Sequence, residues 1–161
     1  MKNKKLFYLT HAALIAALYV VLTLVANALG LANFAIQLRF SEALTILPIF
    51  TPAAIPGLFI GCLLSNLITG CAIPDILFGS LATLLGALGT RALKRSGWLT
   101  LLPPILSNTL IIPFILQYVY RFEGSLPYFM ITVCIGEILS CGVLGMLLMN
   151  VLMKYRKHLF G

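Results

Sequence analysis

Among the polar residues in or beside the apolar runs of this chain, the acids together with Arg39, Asn66 and Asn108 are of types that suit the binding of a small polar solute. Arg39 and Glu42 stand three residues apart at the mouth of an apolar segment. Three apart on a helix is one face, so the pair can touch each other or a shared ligand. Glu137 lies roughly ten residues into the last apolar run, about 15 Å deep at 1.5 Å per residue. An acid at that depth faces a cavity or the bundle interior, as a ligand contact or as a structural hydrogen bond between helices. Asp75 follows Pro74 at a helix start, where it serves as a cap or as a ligand group. Asn66 and Asn108 offer a donor and an acceptor each, to a solute or to a neighbouring helix.

Catalytic patterns are missing. There is no G-x-x-x-x-G-K-[ST], H-E-x-x-H or G-x-S-x-G stretch. His11 and His158 lie beside basic clusters and are expected at the interface or in solvent. Cys62, Cys71, Cys134 and Cys141 form no CxxC pair and have no histidine at metal-ligand spacing. They are expected to act as small apolar residues, with Cys71, near a loop, the most open to reaction. No catalytic residue, metal site or cofactor is expected.

The elements that must hold these groups are membrane helices. The chain of 161 residues is 61% hydrophobic and 9% charged. A soluble domain is nearer one quarter charged. A spanning helix needs about 20 residues, which allows about six spans and leaves no room for a second domain. The net charge of +7 does not indicate nucleic acid, because nine of the eleven Lys and Arg residues fall in three clusters. These are Lys2, Lys4 and Lys5; Arg91, Lys94 and Arg95; and Lys154, Arg156 and Lys157. Such clusters mark cytoplasmic loops, which puts both termini inside.

Spans are expected near residues 6–29, 41–50, 54–69, 75–93, 98–118 and 126–153, in a single transmembrane domain, 1–161. The basic start and Ala26-Asn27-Ala28 resemble a signal peptide, but the long apolar run and the spans that follow favour a retained helix. The stretch 41–50 is short. If it crosses, all three basic clusters share one side, so it is expected to cross as a short or tilted helix. Gly57, Gly61 and Ser65 form a small-residue stripe, continued in Ala82, Gly86 and Thr90. Ala12, Ala13, Ala16 and Ala17 make two overlapping small pairs, for internal packing or for a partner helix. Pro103, Pro104 and Pro113 predict a bent or broken helix. On this topology all four acids (Glu42, Asp75, Glu123 and Glu137) lie outside or within the membrane, as a pocket open to the outside requires.

Three runs carry a resemblance. They are Gln37-Leu38-Arg39-Phe40-Ser41-Glu42-Ala43-Leu44 followed by Leu47-Pro48, Pro52-Ala53-Ala54-Ile55-Pro56-Gly57-Leu58-Phe59-Ile60-Gly61-Cys62, and Asp75-Ile76-Leu77-Phe78-Gly79-Ser80-Leu81-Ala82-Thr83-Leu84. Together they resemble the QueT family, substrate-binding S components of energy-coupling factor (ECF) transporters assigned to queuosine precursors. The likeness is strongest from Gln37 to Thr83 and is more pattern than motif in the last third.

The resemblance implies a six-helix all-α integral membrane protein of the S-component type. It also implies a transmembrane T component and two ATPase subunits as partners, which fits the missing P-loop. Ala12, Ala13, Ala16 and Ala17 would then dock on the T component. The implied solute is a 7-deazaguanine, such as 7-aminomethyl-7-deazaguanine, or queuine. On that reading Glu137 meets the guanine-like edge, Glu42 or Asp75 meets a cationic arm, Arg39, Asn66 and Asn108 orient or donate, and Phe40 or Tyr118 walls the ring. Residues 30–40 are the candidate gate. The rival readings are an S component for another vitamin or base, an assembly subunit without a solute, and a membrane enzyme.

Overall fold

The computed structural model describes residues 3–31 and 36–160. Among them every regular element is helical. Five α-helices and one 3₁₀ segment follow in order: α1 (Lys4–Ala28), the 3₁₀ segment (Phe40–Ile49), α2 (Ala54–Ile68), α3 (Ile73–Ala92), α4 (Gly97–Val119) and α5 (Leu126–Tyr155, continuing to Phe160). Four of these (α1, α3, α4 and α5) are long and apolar enough to cross a membrane, and the 3₁₀ segment and α2 are shorter apolar helices. Residues 32–35, including Asn33 of the candidate gate, lie outside the described residues.

Polarity is distributed inside out. Leu6, Leu9, Val21, Leu67, Ile73, Leu106, Ile131 and Leu147 are all more than half exposed, while Ser41, Glu42, Ser65, Asn66, Ser80, Thr83 and Thr90 are buried. A soluble protein exposing this much apolar side chain would aggregate; a bilayer accepts it, and polar groups must then pair within the bundle. Trp98 is exposed just before the apolar body of α4, where an interfacial anchor belongs. The protein is a multi-pass membrane protein.

Small residues set the helix spacing. A side chain added at Gly57 would sit 2.7 Å from the Ala12 carbonyl, and one at Gly61 would sit 2.7 Å from Tyr19 Cβ. The Gly57, Gly61 and Ser65 stripe therefore lies directly on α1, with Ala12 and Ala16 as its buried counterpart. Gly86 and Gly89 of α3 meet Pro104 and Pro103 of α4 in the same way. Thr90 Oγ1 donates to the Thr100 carbonyl at 2.9 Å and ties the two helices at that end.

The 3₁₀ segment carries the chain from one end of α1 to the other. Ser41 Oγ accepts from Thr23 Oγ1 at 2.8 Å, near the C-terminal end of α1. At its far end Arg91 Nη1 donates to the Pro48 carbonyl at 2.8 Å, and Tyr8 Oη lies 3.5 Å from the Pro52 carbonyl. Ten residues of 3₁₀ helix reach about 20 Å at 2.0 Å each, more than the 15 Å an α-helix would give. Leu148 and Leu152 of α5 pack on the cluster of Ile15, Leu47 and Ala54. The starts of α1 and α4 and the ends of α3 and α5 therefore share one end of the bundle.

The prolines do not break α4. Pro103 and Pro104 fall at the start of its α-helical part, after a 3₁₀ turn at Gly97–Leu101. A missing N–H is tolerated there because the first turn has no intrahelical acceptor. Pro113 lies inside the helix and is followed by a π-helical stretch at Ile115–Val119. A second π-helical stretch, Ile138–Leu144, follows Glu137 in α5. The helices stay continuous and change pitch beside the buried acids.

Candidate binding site

A polar cavity of about 340 Å³ lies at the bundle end where α2 turns into α3 and α4 into α5. Thr23 and Asn27 of α1, Gln37 and Arg39 of the link, Asn66 of α2, Asp75 of α3 and Tyr120 after α4 supply its polar groups. Ile112, Ile115, Leu116 and Phe122 supply apolar wall. This is the size and mixture expected for a small-molecule site. Gln37, Arg39 and Ile112 also line a second, tight chamber of about 10 Å³, with Glu42, Gly79, Thr83, Asn108, Val133 and Glu137. Gly79 and Thr83 follow Asp75 by one and two turns of α3, so the chamber lies about 6–12 Å deeper.

The floor of the site is acidic. Glu42 is 1% exposed and Glu137 8%. Their carboxylates and the Cys141 thiol bring oxygen and sulfur atoms within 4.8 Å of one another. Tyr19 donates a hydrogen bond to Glu42 Oε1. Glu42 Oε2 is buried and has no partner. Cys141 Sγ lies 3.1 Å from Glu137 Oε2, and Thr45 Oγ1 donates to Cys141 Sγ at 3.5 Å. Asn108 of α4 faces both carboxylates. By donor type the two acids and the thiol could hold an ion, although the thiol is already engaged with Glu137.

The link before the 3₁₀ segment is held against α5. The Arg39 N–H donates to Ser140 Oγ at 3.1 Å. Gly136 permits this approach, because a Cβ there would stand 2.5 Å from the Gln37 carbonyl. The Arg39 guanidinium, half-buried, donates to Gln37 Oε1 at 3.4 Å. It closes no ion pair with Glu42 among the described residues, yet its charge acts on Asp75, Glu42 and Glu137 together. Three residues apart thus means a shared chamber here rather than a direct contact.

Asp75 belongs to a clamp at the cavity mouth. The Tyr120 hydroxyl donates to Asp75 Oδ2 at 2.8 Å and accepts from the Ala72 N–H at 3.1 Å. Burial pushes the Tyr120 hydroxyl above its ordinary value, and the bond to Asp75 pushes the same way against the Ala72 bond. Asp75 Oδ1 and Asn66 Nδ2 meet over Gly79, 3.3 and 3.1 Å from where its Cβ would be.

Of the residues expected from sequence, Arg39, Asn66 and Asp75 line the cavity, and Arg39, Glu42, Asn108 and Glu137 line the chamber below it. Phe40 and Tyr118 line neither. Tyr118 is 67% exposed and stacks on Phe114 in an apolar groove on the outside of α3 and α4. Tyr120, two residues on, turns inward instead. The alanine pairs split: Ala12 and Ala16 are buried against α2, and Ala13 and Ala17 are exposed.

Sequence reasoning missed Tyr19, Thr23 and Cys141 as parts of the site. A signal was present. Tyr19, Thr23 and Asn27 recur every four residues, a polar stripe on an otherwise apolar helix, and Glu137 and Cys141 have the same spacing.

A helical membrane protein whose polar interior opens into a solute-sized pocket belongs to the class of transport and solute-binding membrane proteins. A family model described as QueT transporter matches residues 9–154. The chain belongs to the QueT transporter family. It is also similar to the queuosine precursor transporter QueT of Lactococcus lactis subsp. cremoris (strain MG1363), 34% identical over 84 residues. That match covers 52% of this chain and 49% of the relative, so it spans about half the length of each. No solved structure matches the chain.

Proposed function

We propose that the protein is the substrate-binding S component of an ECF-type transporter and takes up a queuosine precursor, a 7-deazaguanine such as 7-aminomethyl-7-deazaguanine, or queuine. The observation that carries this is the family membership joined to a cavity of about 340 Å³ that lies above a tight chamber lined by two buried acids. A guanine-like base is flat and rich in N–H donors, and carboxylates, an amide and apolar walls are the complementary set. Arg39, Glu42, Asn66, Asp75, Asn108 and Glu137 form the binding set.

The T component and two ATPase subunits supply the drive in this scheme. Ala13 and Ala17, exposed on a helix that packs chiefly on α2 and the 3₁₀ segment, offer the T component a small-residue face. The basic residues gathered at one end favour cytoplasmic termini, with the cavity facing outward.

Equilibrium binding to the purified protein in detergent tests the reading. The panel is 7-cyano- and 7-aminomethyl-7-deazaguanine, queuine, guanine, riboflavin and thiamine. Tight binding of a 7-deazaguanine, with guanine weaker, is expected. Tight binding of a different vitamin would keep the architecture and overturn the substrate.

A further inference from the structure

We propose that the chamber beneath the cavity takes a primary ammonium group on a short arm, so that the substrate binds with its ring in the cavity and its charged arm pointing inward to Glu42 and Glu137. This rests on the 7-deazaguanine reading above and fixes the orientation of the base within it. The orientation keeps Glu42 as a partner of the arm but moves Glu137, expected from sequence at the guanine-like edge, to the arm as well, and the reason is room. The chamber is about 10 Å³, whereas the cavity above it is about 340 Å³. One water fills about 10–15 Å³ on this measure, and an ammonium group is of similar size. A purine-like edge with its two or three polar atoms is far larger.

Charge and hydrogen bonding agree with the room. Two buried carboxyl groups within 4.8 Å of each other repel when both are ionised, and a shared proton or a cation between them relieves this; an ammonium group supplies the cation. Arg39 lines the chamber and its charge reaches both acids, but among the described residues it closes no ion pair with either, and its guanidinium donates to Gln37 instead. Glu42 lines the chamber, and its Oε2 is buried and makes no hydrogen bond, which leaves an acceptor waiting for a donor. An ammonium group brings three donors and one positive charge.

The ring edge then falls to the mouth. Asp75 Oδ1 and Asn66 Nδ2 lie side by side over Gly79, an acceptor next to a donor. A guanine-like edge presents N–H donors next to a keto oxygen, the complementary order. Tyr120 holds Asp75 by its other oxygen and so leaves Oδ1 free to accept.

The test compares three ligands that share one ring, 7-aminomethyl-, 7-cyano- and unsubstituted 7-deazaguanine, on the purified full chain. The variants are Glu42→Gln, Glu137→Gln and Asp75→Asn, each checked for folding by thermal unfolding in detergent. The two glutamate variants are expected to lose about tenfold or more in affinity for the aminomethyl base and about twofold or less for the other two. Asp75→Asn is expected to weaken all three alike. The reverse pattern, or equal losses everywhere, would overturn the orientation. With the wild-type protein alone, acetylating the arm nitrogen should abolish binding, because the chamber has neither room nor a charge partner for an amide. Retained affinity would refute the inward arm even if a variant failed to fold. Failure of all three ligands to bind the wild type would instead refute the substrate reading, and the orientation with it.

Discussion

The Tyr19 hydroxyl on α1 holds Glu42 Oε1 on the 3₁₀ segment and leaves Glu42 Oε2 as the unpartnered acceptor of the site. The bond joins α1 to the chamber beneath the cavity. Tyr19→Phe keeps the ring packing and removes the donor. A buried acceptor left without its partner costs about 1–3 kcal/mol, so the variant should unfold at lower temperature in detergent and bind solute more weakly. An unchanged unfolding temperature would mean that the bond adds no stability.

Gly136 decides where Gln37 and Arg39 lie. Alanine is the better helix former by about 1 kcal/mol, so Gly136→Ala would stabilise an isolated α5. In the folded protein its Cβ would stand 2.5 Å from the Gln37 carbonyl, and the backbone there must move. The bond from the Arg39 N–H to Ser140 would lengthen with it. Binding should fall about tenfold or more, while helix content by circular dichroism stays that of the wild type. Full affinity in the variant would show that the link tolerates displacement.

The helices were legible in the sequence because lipid imposes one rule: long apolar runs broken at polar loops. Expected spans at 75–93 and 98–118 differ by only a few residues from α3 and α4. The acids Glu42, Asp75 and Glu137 stood out because each is rare against an apolar background. What the sequence concealed is direction. Periodicity does not say that Tyr120 turns inward while Tyr118 turns outward, since Tyr118 lies within a π-helical stretch that ends just before Tyr120. Nor does it say which alanine pair faces α2. The 3₁₀ winding of the stretch 40–49 was also hidden, because it answers a tertiary demand for reach rather than a local propensity.

The two alanine pairs should respond oppositely to enlargement. Ala12 and Ala16 are buried where Gly57 and Gly61 approach α1. Leucine at either position overpacks that contact and should cost about 1–3 kcal/mol or more, with poor recovery of folded protein. Ala13 and Ala17 are exposed, so leucine there should leave unfolding temperature and solute binding unchanged. If this face docks the T component, the second pair of variants should still lose co-purification with it and solute uptake. Uptake at the wild-type level would rule the face out.

Tyr120 should remain a hydroxyl well into the alkaline range. Burial raises it above its ordinary value, so its bond to Asp75 is complete below about pH 10, the ordinary tyrosine value. The contribution is lost only as pH climbs through the higher folded value. A difference titration of the wild type against Tyr120→Phe, followed by tyrosinate absorbance, should show no ionisation of this residue near pH 10. Ionisation there would mean that the clamp on Asp75 is open to solvent.

Cys71 gives the most direct view of the cavity mouth. It lines the cavity and is half-buried, whereas Cys62 and Cys141 are fully buried. Thr69 Oγ1 lies 3.5 Å from its sulfur, so the thiol is held at the rim. A membrane-impermeant thiol reagent added outside intact cells should label Cys71, and the solute-sensitive part of the label should vanish in Cys71→Ser. Cys134, also half-buried, does not line the cavity, and its labelling should not respond to solute. Saturating 7-aminomethyl-7-deazaguanine should slow the Cys71 reaction by about tenfold if affinity is tight relative to the concentration used. Labelling only after the membrane is opened would put the cavity on the cytoplasmic side and reverse the proposed topology.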